Sequence, residues 1–340
     1  GLLFGLSCMY QISTDVTRAL INYLSVRGLE SSLCFDALGI SEQDFNKLQF
    51  VSAIKYDELY DLAEKELKHD TIGFEFARHS DAEKWGILGN IAYTSKNLEQ
   101  ALLLQQKYQS ITGSIGTPVF HSDVEHLSLL WLPSAPYNPN VAEEIVTSWV
   151  EISRRLTAQH LKPIEVMFSH SRGEDTKEAY ENYFGCPVTF GVKQNGLRID
   201  KSVLLLDNSR ANTELNSALT HYADALLQKL SKQDPVSIAN KFIRNALPNS
   251  QPKLADLAVY LGTSERSLQR QLAQQNTTFK HLLNRCRHQL SQYYLTATDF
   301  TIEEVSALLS FSEPSAFIRA FKSWEQQTPS QYRTEKRIDI

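Results

Sequence analysis

The chain is short of the groups that carry most enzyme chemistry. Its four cysteines, Cys8, Cys34, Cys186 and Cys286, are far apart and form no Cys-x-x-Cys pair. That spacing excludes a zinc ribbon and a disulfide framework as first readings and predicts reduced thiols in a cytoplasmic protein. No Gly-x-Ser-x-Gly, His-Glu-x-x-His, P-loop or paired-carboxylate pattern occurs, so the sequence predicts no enzyme, no metal and no cofactor. The histidines agree. His121 and His126 stand at i and i+5 around a turn, off metal-ligand spacing, and read as surface residues. His170, at a strand end, reads equally as a ligand candidate and as a local turn hydrogen bond. Long apolar runs are missing too. Gly1–Met9 is apolar but too short to span a bilayer and lacks a basic start, so a mobile or docked N-terminal arm is expected and no membrane partner.

What is present is ordinary globular material, 42% apolar and 21% charged, in a chain long enough for two domains. The net charge of −5 hides a division. Of the 34 Lys+Arg and 39 Asp+Glu, 13 and 9 lie from Pro235 onward, leaving 21 and 30 before it. A mildly basic C-terminal part therefore follows an acidic one, which fits a nucleic-acid module joined to something that avoids phosphate.

Hydrophobic periodicity divides the chain in the same way. Residues 12–115 read mainly helical, with an apolar stripe over Thr14–Ser25, a capped start at Ser41–Phe45, and helical spacing over Tyr56–Lys68 and Asn97–Ser110. Gly86–Thr94 is small and apolar, suited to a tight helix contact or a ligand-facing wall. Thr117–Phe120, His126–Leu132, Pro163–Ser169 and Pro187–Gly191 read as strands, and Val141–Gln159 and Asp175–Phe184 as helices. Asn195-Gly196 signals a turn, with Leu197–Ile199 as the returning strand. The expected class is an α+β sensor domain, a helical start followed by mixed α/β with a small sheet, over residues 12–205. A helical linker over 206–234 and an all-α domain over 235–335 follow.

Within the last third one pattern occurs twice, about 49 residues apart. In Leu254–Gln274 the pairs Leu257/Leu261 and Leu268/Leu272 flank a short polar break. In Glu303–Ser323 the pairs are Val305/Leu309 and Phe317/Phe321. Apolar residues four apart share a helical face, so each copy reads as two short helices joined by a tight turn, a helix-turn-helix. Arg270 and Arg319 stand at matching outward positions in the second helices. Thr263 or Ser264 is placed to cap the first of these, and Pro314 suits a first helical turn. The outward faces are Arg266, Gln269 and Arg270 in one copy and Ser315, Ile318, Arg319 and Lys322 in the other. Arginine and glutamine are what a helix needs to read guanine and adenine in a major groove.

Residues 235–333 resemble the DNA-binding domain of the AraC/XylS family of transcriptional regulators. SERSLQRQLAQ is similar to its first recognition helix, and FSEPSAFIRAFKSW with TPSQYR to its C-terminal signature. The resemblance implies base contacts by Arg266, Gln269 and Arg270 in one major groove of double-stranded DNA, and by Ser315 and Arg319 in the next. It implies phosphate contacts by Ser264, Lys322 and Arg333, and RNA polymerase as a partner of an activator. Three positions that are usually glycine in the family are Ser310, Gln326 and Asn276 here. Residues 15–205 are similar, more loosely, to the arabinose-binding-type sensor domain of one branch, through PIEVMFSH, Tyr180–Phe184 and CPVTFGVKQNGLRID. That implies a small-molecule effector of unstated identity and a possible homodimer. Trp85, Tyr93 and Trp131 are the candidate effector contacts, among aromatics that also include Tyr108, Phe120 and Trp149. Two other readings stand beside this one. One is a ligand-independent DNA-binding protein whose N-terminal half only dimerises. The other is a DNA-repair alkyl-transfer protein, which would need the reactive cysteine cluster that the spacing denies.

Overall fold

A computed structural model describes residues 10–336, except residue 114 and the side chains of residues 82, 83 and 233. The expected N-terminal arm, Gly1–Met9, lies outside the described residues. The chain divides into two compact units. One runs to Leu132 and then over Tyr137–Ala223; the other takes Asp224 onward together with Pro133–Pro136.

The first unit begins with β1 (Gln11–Ser13), which pairs antiparallel with β2 (Phe50–Ser52), Ile12 opposite Val51. Ser13 then caps α1 (Thr14–Val26) by accepting from the Val16 amide, and Val16, Leu20 and Leu24 bury at four-residue steps. Next come α2 (Ser31–Leu38), α3 (Glu42–Phe45), α4 (Ala53–Leu67), α5 (Ile72–His79), α6 (Ile87–Thr94) and α7 (Leu98–Tyr108). The start expected at Ser41 is there: its hydroxyl accepts from the Asp44 amide. The short strands β1 and β2 carry no alternation long enough to read from sequence.

Five further strands form one sheet: β3 (Gly116–Ser122), β4 (His126–Pro133), β5 (Glu165–Met167), β6 (Val188–Thr189) and β7 (Asn195–Asp200), in the order β3-β4-β7-β5-β6. Helix α8 (Pro139–Thr157) links β4 to β5, and α9 (Glu174–Phe184) links β5 to β6. The expected turn at Asn195-Gly196 is corrected. Both residues lie in β7, opposite Trp131 and Leu130 of β4. The glycine serves close approach rather than a turn, since a Cβ at Gly196 would stand 2.4 Å from the Leu129 carbonyl oxygen. Asn195 is held by its side chain, which donates to Tyr137 Oη at 2.7 Å and accepts from the Ser169 amide at 2.9 Å. Nor is β7 the return of a hairpin from β6. It runs antiparallel to β4 and β5, while β6 pairs parallel with β5.

The core of this unit gathers α1, α4, α5, α8, α9 and the sheet. At Gly73 a Cβ would meet the Asn140 carbonyl oxygen at 1.9 Å, so α5 can lie against the start of α8 only without a side chain there. The Gly73 amide donates to Asn140 Oδ1 at 2.7 Å. Two adjacent acids of α8 are buried in this core. Glu144 accepts from Tyr56 Oη and Tyr60 Oη at 2.8 Å each and pairs with Lys84 Nζ at 3.0 Å. Glu143 accepts from Arg172 Nε and Tyr180 Oη at 2.8 Å and pairs with His170 Nε2 at 2.8 Å. His170 thus holds a distant carboxylate, not a local turn. His121 is exposed, and half-buried His126 lies beside Asp123.

Helix α10 (Thr213–Gln233) leads into the second unit, where Asp234 caps α11 (Pro235–Ala246). Then follow α12 (Leu254–Tyr260), α13 (Glu265–Gln274), α14 (Phe279–Ala297), α15 (Ile302–Leu308), α16 (Pro314–Glu325) and α17 (Pro329–Lys336). All eight apolar positions of the repeated pattern are buried, none more than 3% exposed. The repeat therefore supplies a large part of the unit's core, joined by Ile238 and Ile243 of α11 and Leu282, Leu290 and Leu295 of α14.

Candidate nucleic-acid interface and sensor cavity

The two copies of the pattern share their backbone hydrogen bonds as well as their periodicity. Helix α12 closes with the Gly262 amide on the Val259 carbonyl and the Thr263 amide on the Ala258 carbonyl. Helix α15 closes with the Ser310 amide on Ala307 and the Phe311 amide on Ser306. Both are paired C-terminal caps around one left-handed residue, Gly262 at φ 60° and Ser310 at φ 51°. Asn276 ends α13 in the same way at φ 54°, and Gln326 ends α16 at φ 59°. The three positions without the usual glycine therefore keep the backbone that glycine would favour. Ser310 is tied down by its side chain, whose Oγ donates to the Leu247 carbonyl at 2.5 Å.

Gln326 is exposed and holds the Ser323 carbonyl only at 3.3 Å. A left-handed backbone costs an L-residue roughly 1–2 kcal/mol, part of which glycine's greater unfolded-state entropy offsets. Gln326→Gly is accordingly expected to raise stability by about 1 kcal/mol. Denaturant unfolding checks it, and a variant less stable than the parent would refute the strain.

The second helix of each copy starts as its sequence predicts. Ser264, rather than Thr263, caps α13 by accepting from the Ser267 amide, and Pro314 opens α16. Turning Leu268 and Leu272 inward leaves Arg266, Gln269 and Arg270 exposed together, and turning Phe317 and Phe321 inward leaves Ser315, Ile318, Arg319 and Lys322 exposed. Arg319 lies 3.6 Å from Glu313 and donates to Ser315 Oγ at 3.4 Å. Both ends of that ion pair are more than half exposed, so it is a weak restraint that a stronger anion can displace. Arg333 stands differently: its guanidinium donates to the backbone carbonyls of Leu295 and Phe300, closing the end of α14.

Beneath the outward faces, α14 fixes the second copy. Arg287 Nε donates to the Leu309 carbonyl at 2.9 Å and its NH2 to the Ser310 carbonyl at 2.7 Å. Its guanidinium lies 4.3 Å from the Phe311 ring centroid. Burial holds its pKa below the ordinary arginine value. His288 and Gln292 both reach Glu325 Oε1, at 2.5 and 2.7 Å, tying α14 to α16. Sequence reading did not single out Arg287. The available signal was an arginine within the apolar stripe Leu283, Cys286, Leu290 and Tyr294 of α14.

The first unit holds a partly open cavity of about 160 Å³ between α6, α7, α8 and the sheet. Trp85 and Trp131 line it, as do Trp149 and the small α6 residues Gly89 and Ala92. Tyr93 is not on its wall. It packs behind the wall residues Leu98, Ala101 and Leu156, and the Arg210 guanidinium covers its ring at 5.0 Å. Tyr108 is buried, but outside the cavity wall. Among the described residues no group of three or more His, Cys, Asp or Glu could hold a metal, and no helix is long and apolar enough to cross a membrane. Cys34, Cys186 and Cys286 are free thiols, and burial raises the pKa of each.

A duplicated helix-turn-helix with basic outward faces, joined in one chain to a unit with a cavity, defines a DNA-binding transcriptional regulator with a sensor-type domain. The family model described as the arabinose-binding domain of AraC transcription regulators, N-terminal, matches residues 28–208, and a helix-turn-helix domain model matches residues 257–335. The chain belongs to that family of AraC-type regulators. It is 25% identical to the ornithine utilization regulator of Pseudomonas aeruginosa over 319 residues, covering 93% of this chain and 94% of that one. It is 24% identical to the HTH-type transcriptional regulator VirS of Mycobacterium tuberculosis over 295 residues, 84% of each. Among solved structures, the transcriptional regulator CdpR from Pseudomonas aeruginosa matches 94% of this chain and 98% of that one, at 20% identity and a TM-score of 0.47.

Proposed function

We propose that a small effector, held in the cavity of the first unit, shifts this regulator between states of different DNA affinity. In this reading Arg266, Gln269 and Arg270 contact bases in one major groove and Ser315 and Arg319 in the next, while Ser264 and Lys322 contact phosphate. The carrying observation is the repeated turn with exposed arginines at equivalent positions, Arg270 and Arg319. Arg333 is left out of the contact set, because its guanidinium is engaged with backbone carbonyls; it positions α17 against α14. The cavity favours effector control over the purely dimerising alternative, since a unit that only paired two copies has no need of one. The protein acts by binding and not by catalysis. Homodimerisation, contact with RNA polymerase and a cytoplasmic location belong to the same proposal.

Arg270→Ala and Arg319→Ala are each expected to weaken binding to a sequence selected from random duplexes by about 1–3 kcal/mol. Lys322→Ala should weaken all sequences alike and lower the salt slope by about one unit. Fluorescence anisotropy across a salt series reads both. Parent-like affinity in both arginine variants defeats the assignment.

A further inference from the structure

One hydroxyl on the cavity wall has nothing to bond. Ser148, on α8, is 3% exposed, lines the cavity, and its Oγ has no hydrogen-bond partner among the described residues. A helical serine or threonine can satisfy itself on the carbonyl four residues back; Ser153 and Thr157 on this helix do, while Thr147 Oγ1, off the cavity wall, is unpaired like Ser148 among the described residues. Ser153 Oγ donates to the Trp149 carbonyl at 2.7 Å and Thr157 Oγ1 to the Ser153 carbonyl at 2.9 Å. A buried polar group without a partner is costly, and such exceptions call for a reason.

The rest of the wall narrows the choice. Leu88, Leu102, Ile145, Trp149 and Leu197 give it a hydrocarbon and aromatic surface, and its one ionisable side chain is the exposed Lys162. No carboxylate lines it. Of the other polar side chains on the wall, Gln109, Thr112 and Ser153 already donate to backbone carbonyls, which leaves Ser148 and the half-buried Gln105 to meet a ligand. A sugar would leave most of its hydroxyls unmet there, and a diamino acid such as ornithine would leave two ammonium groups without a counter-charge.

We propose that this cavity takes a neutral, largely hydrocarbon molecule bearing a single hydroxyl or carbonyl head, which pairs with Ser148. The proposal rests on reading the cavity as the sensor site. Its 160 Å³ is close to the roughly 150 Å³ of an apolar cavity that admits benzene, which gives room for an inserted group on the order of six to ten heavy atoms.

The test uses the full chain and five probes: benzyl alcohol, toluene, benzoate, L-arabinose and L-ornithine, read by melting temperature and by titration calorimetry. Benzyl alcohol is expected to raise Tm and to bind about tenfold tighter than toluene, one neutral hydrogen bond being the difference. The three highly polar probes are expected to leave Tm unchanged. Ser148→Ala should abolish the advantage of benzyl alcohol over toluene without lowering the ligand-free Tm. Ala92→Trp should fill the cavity and remove binding of both; if that variant does not fold, Ser148→Ala still decides the matter. Binding of arabinose, ornithine or benzoate that Ala92→Trp removes overturns the ligand class and leaves the cavity as the sensor site. Alcohol binding that survives Ala92→Trp, or no probe raising Tm at all, overturns the site. Neither result bears on the DNA contacts, which the arginine variants test separately.

Discussion

Lys84→Met is expected to destabilise the first unit by about 3–5 kcal/mol, the cost of removing one member of a buried ion pair. Both partners are almost fully inaccessible, with side-chain exposures of 4% for Lys84 and 1% for Glu144. The lysine ammonium also lies 4.3 Å from the Phe76 ring centroid and 5.1 Å from that of Trp85. Burial draws the Lys84 pKa down, and the Glu144 carboxylate draws it back up. With the ammonium gone, Glu144 keeps only the hydroxyls of Tyr56 and Tyr60, which is poor compensation for a buried carboxylate.

The sign of the pH dependence then follows. An unpaired buried carboxyl has a folded-state pKa above its unfolded value, so the folded state binds more protons and stability rises as pH falls through the folded pKa. The Lys84→Met deficit should therefore shrink on acidification from neutral pH. Lys84→Met combined with Glu144→Gln should recover much of the loss, because it removes the stranded charge. Denaturant unfolding at two pH values reads the parent and both variants. A loss under 1 kcal/mol, or one independent of pH, would show that the pair contributes little.

This pair also marks where sequence reading stops. Glu143 and Glu144 sit in a helix whose periodicity was plain, but two adjacent acids on a helix normally face solvent. Their partners, Tyr56, Tyr60, Lys84, His170, Arg172 and Tyr180, come from elements that only the tertiary fold gathers. The second unit was more legible because its information is local. Apolar pairs four apart, a capping serine, a first-turn proline and four left-handed positions each act on neighbours only a few residues away. The same locality misled at Asn195-Gly196, where a strong turn signal was overridden by close strand packing. At the cavity, the small apolar character of Gly86–Thr94 indicated a tight helix contact or a ligand-facing wall, and Leu88, Gly89 and Ala92 line the cavity. Which aromatics joined them was not legible. Trp85 and Trp131 reach the wall, whereas Tyr93 turns toward Arg210, a contact spanning more than a hundred residues. Ser148 offered no signal at all, since an unmet hydroxyl is visible only once its neighbours are placed.

Arg287→Ala is expected to cost the second unit about 2–5 kcal/mol, and the loss should reach DNA binding through the second helix-turn-helix alone. Two carbonyls at the turn, those of Leu309 and Ser310, accept from one guanidinium. The truncated side chain leaves them under-satisfied at about 1–3 kcal/mol each where water does not replace the donor. It also removes the cation from the Phe311 ring, worth about 1–2 kcal/mol in a desolvated setting; such losses at one site do not simply add. Ser310 is already held at φ 51°, so the clamp restrains a turn with no glycine to relax it. Without the clamp α16 loses its fixed relation to α15, and Ser315 and Arg319 lose a common orientation toward bases. Discrimination at the half-site read by α16 should fall while that read by Arg266, Gln269 and Arg270 persists. Arg287→Lys should behave nearly as badly, because an ammonium on a flexible stem lacks the planar fork that serves two carbonyls at once. The measurement pairs denaturant unfolding with affinity for duplexes altered in one half-site at a time. Equal loss at both half-sites would mean that Arg287 supports the whole unit and not its second reader, and unchanged stability would remove the clamp altogether.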